Sequence, residues 1–320
     1  MRLLITGSSG QIGTNLAVRC LADGHEVVGI DRRGNAWTDR FKTIVADLAV
    51  SQPVREWSLG DVALPPCDVI VHLAAHAKVH ALVERPLGAL ENHIMVTNAL
   101  ELARSTNTPI VLASSREVYG QQPQDGGPVD EAAAAFGISP SPYAAAKLAS
   151  EALGAAYERC YGLPYLVFRF SNVYGRYDND LHRLERVLWI FARAIERGEP
   201  ITVYGGGKLL DFTYVDDAVD GLWRGIQLLV DGAISGETFN LAYGEGSRLT
   251  TLARYLGTVL EQEPHMLIES ARPGEVTYYV ADIARARQQL GYEPKVSLRE
   301  GVHRALVWAQ GWEETHPRPE

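Results

Sequence analysis

Four short runs of small and branched apolar residues, "RLLITG", "EVVGID", "DVIVHLAA" and "PIVLASS", alternate with helical stretches such as "NLAVRCLADG" and "NALELARS". Continuous apolar strands separated by helices are the signature of βαβ units around a parallel sheet buried on both faces. The alternation therefore predicts an α/β fold with a doubly wound sheet over residues 1 to about 171. After "YLVFRFSNVYG" the regularity breaks. Residues 211–230, "DFTYVDDAVDGLWRGIQLLV", read as a strand turning into a helix that returns to the main sheet. Residues 172–210 and 231–312 are expected to form a smaller C-terminal lobe, and 313–320 a disordered tail.

With 320 residues, 46% of them apolar, there is material for one large domain and a second lobe. The net charge of −9 and the lack of any Lys/Arg-rich block argue against a nucleic-acid partner. An anionic ligand would have to be held by local backbone amides and a few placed cations. Cys20, Cys67 and Cys160 form no CxxC pair and read as buried free thiols in a reducing compartment. "MRLLITG" is too short for a signal-peptide core, and no later segment reaches transmembrane length. The expected location is the cytoplasm, with no membrane partner.

The first strand runs into "TGSSGQIG", where Gly7, Gly10 and Gly13 open a helix. Glycines let backbone approach a pyrophosphate, and a helix N-terminus offers N–H groups with a positive partial charge. The second strand ends at Asp31, about twenty residues on, where a carboxylate accepts hydrogen bonds from an adenosine ribose. That carboxylate repels a 2′-phosphate, which favours NAD over NADP, although Arg32 and Arg33 soften the preference. Asp47 in "VADL" is a candidate for the adenine edge or, equally, a turn residue. Further along, "SPYAAAKLASEAL" puts Tyr143 and Lys147 on one helix face. A tyrosine acting as base near pH 7 needs its pKa lowered by about 3, roughly 4 kcal/mol, which a neighbouring ammonium and a positive nicotinamide can supply.

Together, "TGSSGQIG", "VIVHLAA", "ASSREVYG", "YAAAK", "RFSNVYG", "DFTYVDD" and "RPGEV" resemble the extended short-chain dehydrogenase/reductase family, and within it the nucleotide-sugar epimerases and dehydratases, UDP-glucose 4-epimerase-like. The likeness runs in order from Met1 to about Ala309. It implies a Rossmann domain holding NAD through Gly7, Gly10, Gln11, Ile12, Gly13, Asp31, Arg32, Asp47, Leu48, Leu73, Ala74, Ala75, Tyr143 and Lys147. Tyr143 would take a hydroxyl proton while hydride leaves C4 of the sugar, Lys147 would hold the nicotinamide ribose, and Ser115 would bond the reacting oxygen. The likeness also implies a homodimer packed through two helices of each subunit, one carrying Tyr143.

Two features depart from that pattern, and a third stretch needs a separate reading. Dehydratases carry Asp then Glu after the hydroxyl residue; here Arg116 replaces the Asp, and a guanidinium cannot donate the leaving-group proton. Glu117 matches the dehydratase glutamate and also that of UDP-glucuronate decarboxylases. Many relatives have an Arg before "DF" to reach the substrate diphosphate, where this chain has Leu210. Lys208 or Arg186 is a candidate substitute, with Arg272 as the other phosphate contact, Asn172 at the pyrophosphate, and Thr202 and Tyr204 at the base and ribose. Finally, His72, His76 and His80 stand four apart, but Val69 to Leu73 read as a strand, so the rings should not share a face and no metal is expected. His76 and Lys78 are kept as sugar-side contacts, and Arg116 either meets a substrate carboxylate or braces its loop.

The reading is an NAD-dependent nucleotide-sugar epimerase acting at C4 of a UDP-hexose or UDP-hexuronate. Its rivals are a UDP-glucuronate decarboxylase, a 4-keto-sugar reductase, and a non-catalytic sensor of NAD or sugar nucleotide.

Overall fold

The computed structural model describes residues 1–50, 54–55 (backbone only), 57–123, 127–178, 181, 186–271 and 276–316. Seven strands form its central sheet: β1 (Arg2–Thr6), β2 (Glu26–Asp31), β3 (Lys42–Val45), β4 (Val69–His72), β5 (Ile110–Ser115), β6 (Tyr165–Phe170) and β7 (Glu237–Leu241). All pairings are parallel and the spatial order is 3-2-1-4-5-6-7. The order reverses between β1 and β4, and in sheets of this kind ligands bind outside the carboxyl ends of the strands at that point.

Burial follows from the two-residue period of each strand. Leu3 and Ile5 of β1 join a core with α1 (Gln11–Ala22), while Leu4 between them joins a second core with α2 (Leu87–Thr106) on the opposite face. Both faces are covered, so these strands are apolar throughout rather than alternating. Besides the short helices Val79–Glu84 and Ala284–Leu290, the other α-helices among the described residues are α3 (Pro142–Tyr161), α4 (Val187–Glu196), α5 (Val215–Val230), α6 (Leu249–Leu260) and α7 (Leu298–Thr315).

Three segments differ from the sequence reading. Leu209–Tyr214 lies in a second sheet with Asn172–Tyr174, Gly246–Ser247 and Tyr278–Tyr279, and only the helix that follows, α5, returns to pack beside α1. Glu237–Leu241, assigned by sequence to the second lobe, is the seventh central strand; Phe239 stacks on Phe168 of β6 at 5.9 Å. The expected disordered tail begins as helix: α7 continues to Thr315 because Trp308 and Trp312 clasp Trp37 at 5.4 and 4.9 Å and Glu313 pairs with Arg193. Residues 317–320 lie outside the described residues. Cys20 and Cys67 are buried as expected, whereas Cys160 is exposed on the last turn of α3. Among the described residues, no helix is long and apolar enough to cross a membrane.

Candidate active site

The crevice above β1 and β4 is built by close backbone approach. Gly7 has φ +71°, and a side chain there would meet the Ala74 amide nitrogen at 2.7 Å. A side chain at Gly13 would meet the Gly7 carbonyl oxygen at 2.4 Å. Both neighbours are backbone, so neither can yield cheaply. Gly10 precedes α1, whose N-terminus has no side-chain cap and no acidic residue in its first turn. An uncapped helix start is an anion site in waiting.

Asp31 closes the other side. One carboxylate oxygen accepts the Ser9 amide at 3.0 Å and the other the Arg33 amide at 3.2 Å, which fixes the carboxylate against the glycine turn. Asn35, not singled out in the sequence, donates to the Ser8 carbonyl and to Thr14 Oγ1. Asp47 is exposed and accepts the Ala49 amide at 2.8 Å, while Leu48 is buried in the second core. Leu73, Ala74 and Ala75 follow β4, and the Ala74 amide donates to Thr6 Oγ1. Ile12 is partly buried against the first core, and Arg32 is exposed. The uncapped helix, the cradle with no room for a Cβ and the fixed carboxylate fit a dinucleotide with a free 2′-hydroxyl.

Helix α3 starts where it must to bring its polar side chains to β5. Ser141 caps it by accepting the Ala144 amide, Pro142 occupies the first turn, and Gly162 ends it at φ +68°. Tyr143 and Lys147 then lie one turn apart and buried. The Ser115 hydroxyl, at the end of β5, faces the Tyr143 phenol closely enough to favour its ionised form. Lys147 Nζ donates to the Ala113 carbonyl at 2.7 Å. Burial pushes the Lys147 ammonium down to about 8, with Glu151 acting in the opposite direction.

The Tyr143 phenol is shifted the other way in the chain alone. Burial pushes it up to about 12, outweighing the lowering effects of the Ser115 hydroxyl and of Arg116 and Arg186. The chain by itself therefore keeps this phenol protonated, and an added positive charge is needed to make it a base.

Sequence reading missed what stands behind these residues. Glu151, one further turn along α3, takes a hydrogen bond from Ser114 and a bidentate pair from Arg169 at 2.9 and 2.6 Å. Arg169 also donates to the Tyr119 hydroxyl, which donates to Asn240 at 2.6 Å. The signal was present: Tyr143, Lys147 and Glu151 continue one helical stripe. Beside it, His72 is fully buried in β4 and bonded to Thr6 Oγ1 at 2.9 Å; burial and then Lys147 push it down to about 3, so it is neutral.

Arg116 and Glu117 form an ion pair at 2.9 Å, and Arg116 Nε donates to Asn172 Oδ1 at 3.2 Å. Asn172 Nδ2 in turn donates to the Asp211 carbonyl. Arg186 reaches the glycine-turn helix: one guanidinium nitrogen donates to Gln11 Oε1 at 2.8 Å and to the Val173 carbonyl, while Gln11 Nε2 donates to the Gly175 carbonyl. These bonds join the two lobes at the crevice. Lys208 is buried in the turn before Leu209–Tyr214, Leu210 is buried within that strand, and Thr202 and Tyr204 share a face of Ile201–Tyr204. Arg272 lies outside the described residues. The three histidines are dispersed: His76 Nε2 lies 2.6 Å from Glu91, the exposed His80 lies 3.2 Å from Glu84, and Lys78 precedes the short helix Val79–Glu84.

Comparison with known proteins agrees with this geometry. The model of the family described as NAD dependent epimerase/dehydratase matches residues 3–242. UDP-glucose 4-epimerase of Mycolicibacterium smegmatis is 32% identical, covering 96% of this chain and 97% of that protein. A probable UDP-glucuronate 4-epimerase of Rhizobium meliloti is 30% identical, with 96% of each chain covered. Among solved structures, UDP-glucose 4-epimerase of Thermotoga maritima with UDP-glucose superposes with TM-score 0.84 at 25% identity, over 98% of this chain and 99% of that one. UDP-glucuronic acid 4-epimerase of Bacillus cereus with UDP-glucuronic acid and NAD does so with TM-score 0.84 at 25% identity, over 98% and 100%. Glycine cradle, Asp31, and the Ser115, Tyr143 and Lys147 group thus sit in a chain that belongs to the NAD dependent epimerase/dehydratase family.

Proposed function

We infer that this protein is an NAD-dependent 4-epimerase of UDP-sugars. The observation that carries the reading is the grouping of Tyr143 and Lys147, buried one helical turn apart, with Ser115 at the end of β5, in a chain whose β1–α1 turn is a glycine cradle. The chemistry NAD supplies when bound is hydride acceptance from C4, hydride return to it, and a positive ring near Tyr143. Ser115 and Tyr143 together grip the C4 oxygen. Tyr143 takes its proton as C4 becomes a ketone and returns a proton when the alcohol re-forms. Lys147, held by the Ala113 carbonyl, orients the cofactor ribose and favours the phenolate. Epimerisation requires the 4-keto sugar to turn over in the crevice before hydride returns to the other face.

The diphosphate is assigned to Lys208 and Arg186 with Asn172, and the base and ribose to Thr202 and Tyr204. These roles rest on position beside the crevice and on the family pattern. A homodimer is part of the same proposal, supported by the exposed apolar side chains of Leu87 and Leu90 on α2 and Tyr161 on α3. Light scattering behind size exclusion checks it, and a 35.1 kDa species at micromolar concentration would contradict it. Unpaired Cys20, Cys67 and Cys160 suit a cytoplasmic location.

The test of the activity is incubation with UDP-glucose, UDP-galactose and UDP-glucuronate, with products resolved by NMR. Inversion at C4 with every carbon retained is expected. Release of CO2 with a pentose product would replace epimerisation by decarboxylation, the reaction that Glu117 beside Ser115 also suits.

A further inference from the structure

Resting on the epimerase reading, the structure adds a statement about which sugar is taken. We propose that Arg116 selects a hexuronate over a neutral hexose by binding the C6 carboxylate on the free edge of its guanidinium.

A guanidinium carries five N–H donors in a fixed plane. At Arg116, Nε is spent on Asn172 Oδ1 at 3.2 Å, and Nη2 meets Glu117 Oε1 at 2.9 Å. Nη1 is shielded from solvent and has no hydrogen-bond partner among the described residues. The guanidinium carbon lies 5.9 Å from the centre of the Tyr279 ring, itself buried. Asn172 and Glu117 thus hold the group in place while three N–H groups remain unspent. A buried donor of a charged group left unmet is costly, so the arrangement is unfinished without an acceptor.

Geometry along the chain says which part of the sugar supplies it. In the epimerase reading the C4 oxygen would lie between Ser115 and Tyr143, and Arg116 is the next residue after Ser115. The ring neighbours of C4 are C3, with a hydroxyl, and C5, with the C6 arm. Of these, only the C6 arm of a uronate ends in two acceptor oxygens, the match for a guanidinium edge. A lone hydroxyl at C6 would leave part of the fork unmet.

The experiment compares kcat/KM for UDP-glucuronate and UDP-glucose in the wild type, Arg116→Met and Arg116→Lys, with UDP binding by calorimetry as the check on folding. The wild type is expected to prefer UDP-glucuronate by at least 100-fold. Met should lower that preference by 100-fold or more, and Lys, which keeps the charge without the fork, by about tenfold. Should Met fail to bind UDP, the Lys variant decides. A wild type that prefers UDP-glucose, or variants that leave the ratio unchanged while both activities fall, would overturn the proposal and leave the epimerase reading standing. A wild type that inverts neither sugar would overturn both.

Discussion

Replacing Glu151 by Gln removes a carboxylate one helical turn from Lys147 and leaves the catalytic hydroxyls untouched. Side chains four apart on a helix are separated by about 6 Å. At an effective dielectric constant of about 20, losing that attraction costs the ammonium about 3 kcal/mol. At 1.36 kcal/mol per pH unit, this lowers the Lys147 pKa by about 2. Lys147 stands at about 8, so the variant should titrate near 6. Lys147 must be charged to favour the Tyr143 phenolate, and the basic limb of kcat/KM against pH should therefore move from near 8 to near 6. The sign for stability is opposite. The native state sheds this proton near 8 and the unfolded chain near 10.5, so in the wild type stability rises across that window as activity falls. Arg169 loses its carboxylate partner as well, and the melting temperature should drop. A variant that melts earlier yet keeps its basic limb near 8 would refute the role given to Glu151 and leave it a purely structural brace.

Other perturbations reach the remaining parts of the site. Gly13→Ala places a methyl 2.4 Å from the Gly7 carbonyl, and NAD affinity by calorimetry should fall at least tenfold with the fold intact by circular dichroism. Asp31→Asn removes the charge that repels a 2′-phosphate, and the ratio of NADP to NAD affinity should rise about tenfold or more. Trp312→Ala opens the clasp on Trp37 and should cost about 2 kcal/mol in urea unfolding, less than a fully buried Trp because the ring is only partly covered.

The parallel sheet could be read from sequence because strands buried on both faces are apolar at most positions, and that pattern is local. Glu237–Leu241 was not read as a seventh central strand, since "ETFNL" is short and begins with two polar residues. What seats it is Phe239 against Phe168, a contact between residues 71 positions apart. The tail was misread for a similar reason. "EETHPRPE" is polar by composition, and what carries the helix into it comes from far away in the chain: Trp37 against Trp312 and Arg193 paired with Glu313.

In the site, spacing revealed Tyr143 with Lys147, and a glycine turn with Asp31 downstream. It could not reveal Arg169 as the partner of Glu151, because that bond joins β6 to α3. Nor could it give the Tyr143 pKa: spacing shows the ammonium that would lower it, whereas the burial that pushes it up to about 12 belongs to the assembled fold. The two uses of Arg116 weighed from sequence, bracing a loop or meeting a carboxylate, are not exclusive in the structure. One nitrogen braces Glu117 and another is left without a partner among the described residues.

Ser115, Tyr143 and Lys147 are proposed to carry a reversible oxidation at C4. Its most direct test uses UDP-glucuronate and UDP-glucose labelled with deuterium at C4, the products being read by NMR and mass spectrometry. The account predicts inversion at C4 with the deuterium retained, and at least a 100-fold loss of rate in Tyr143→Phe. Deuterium washed out into solvent, or full activity in Tyr143→Phe, would contradict it.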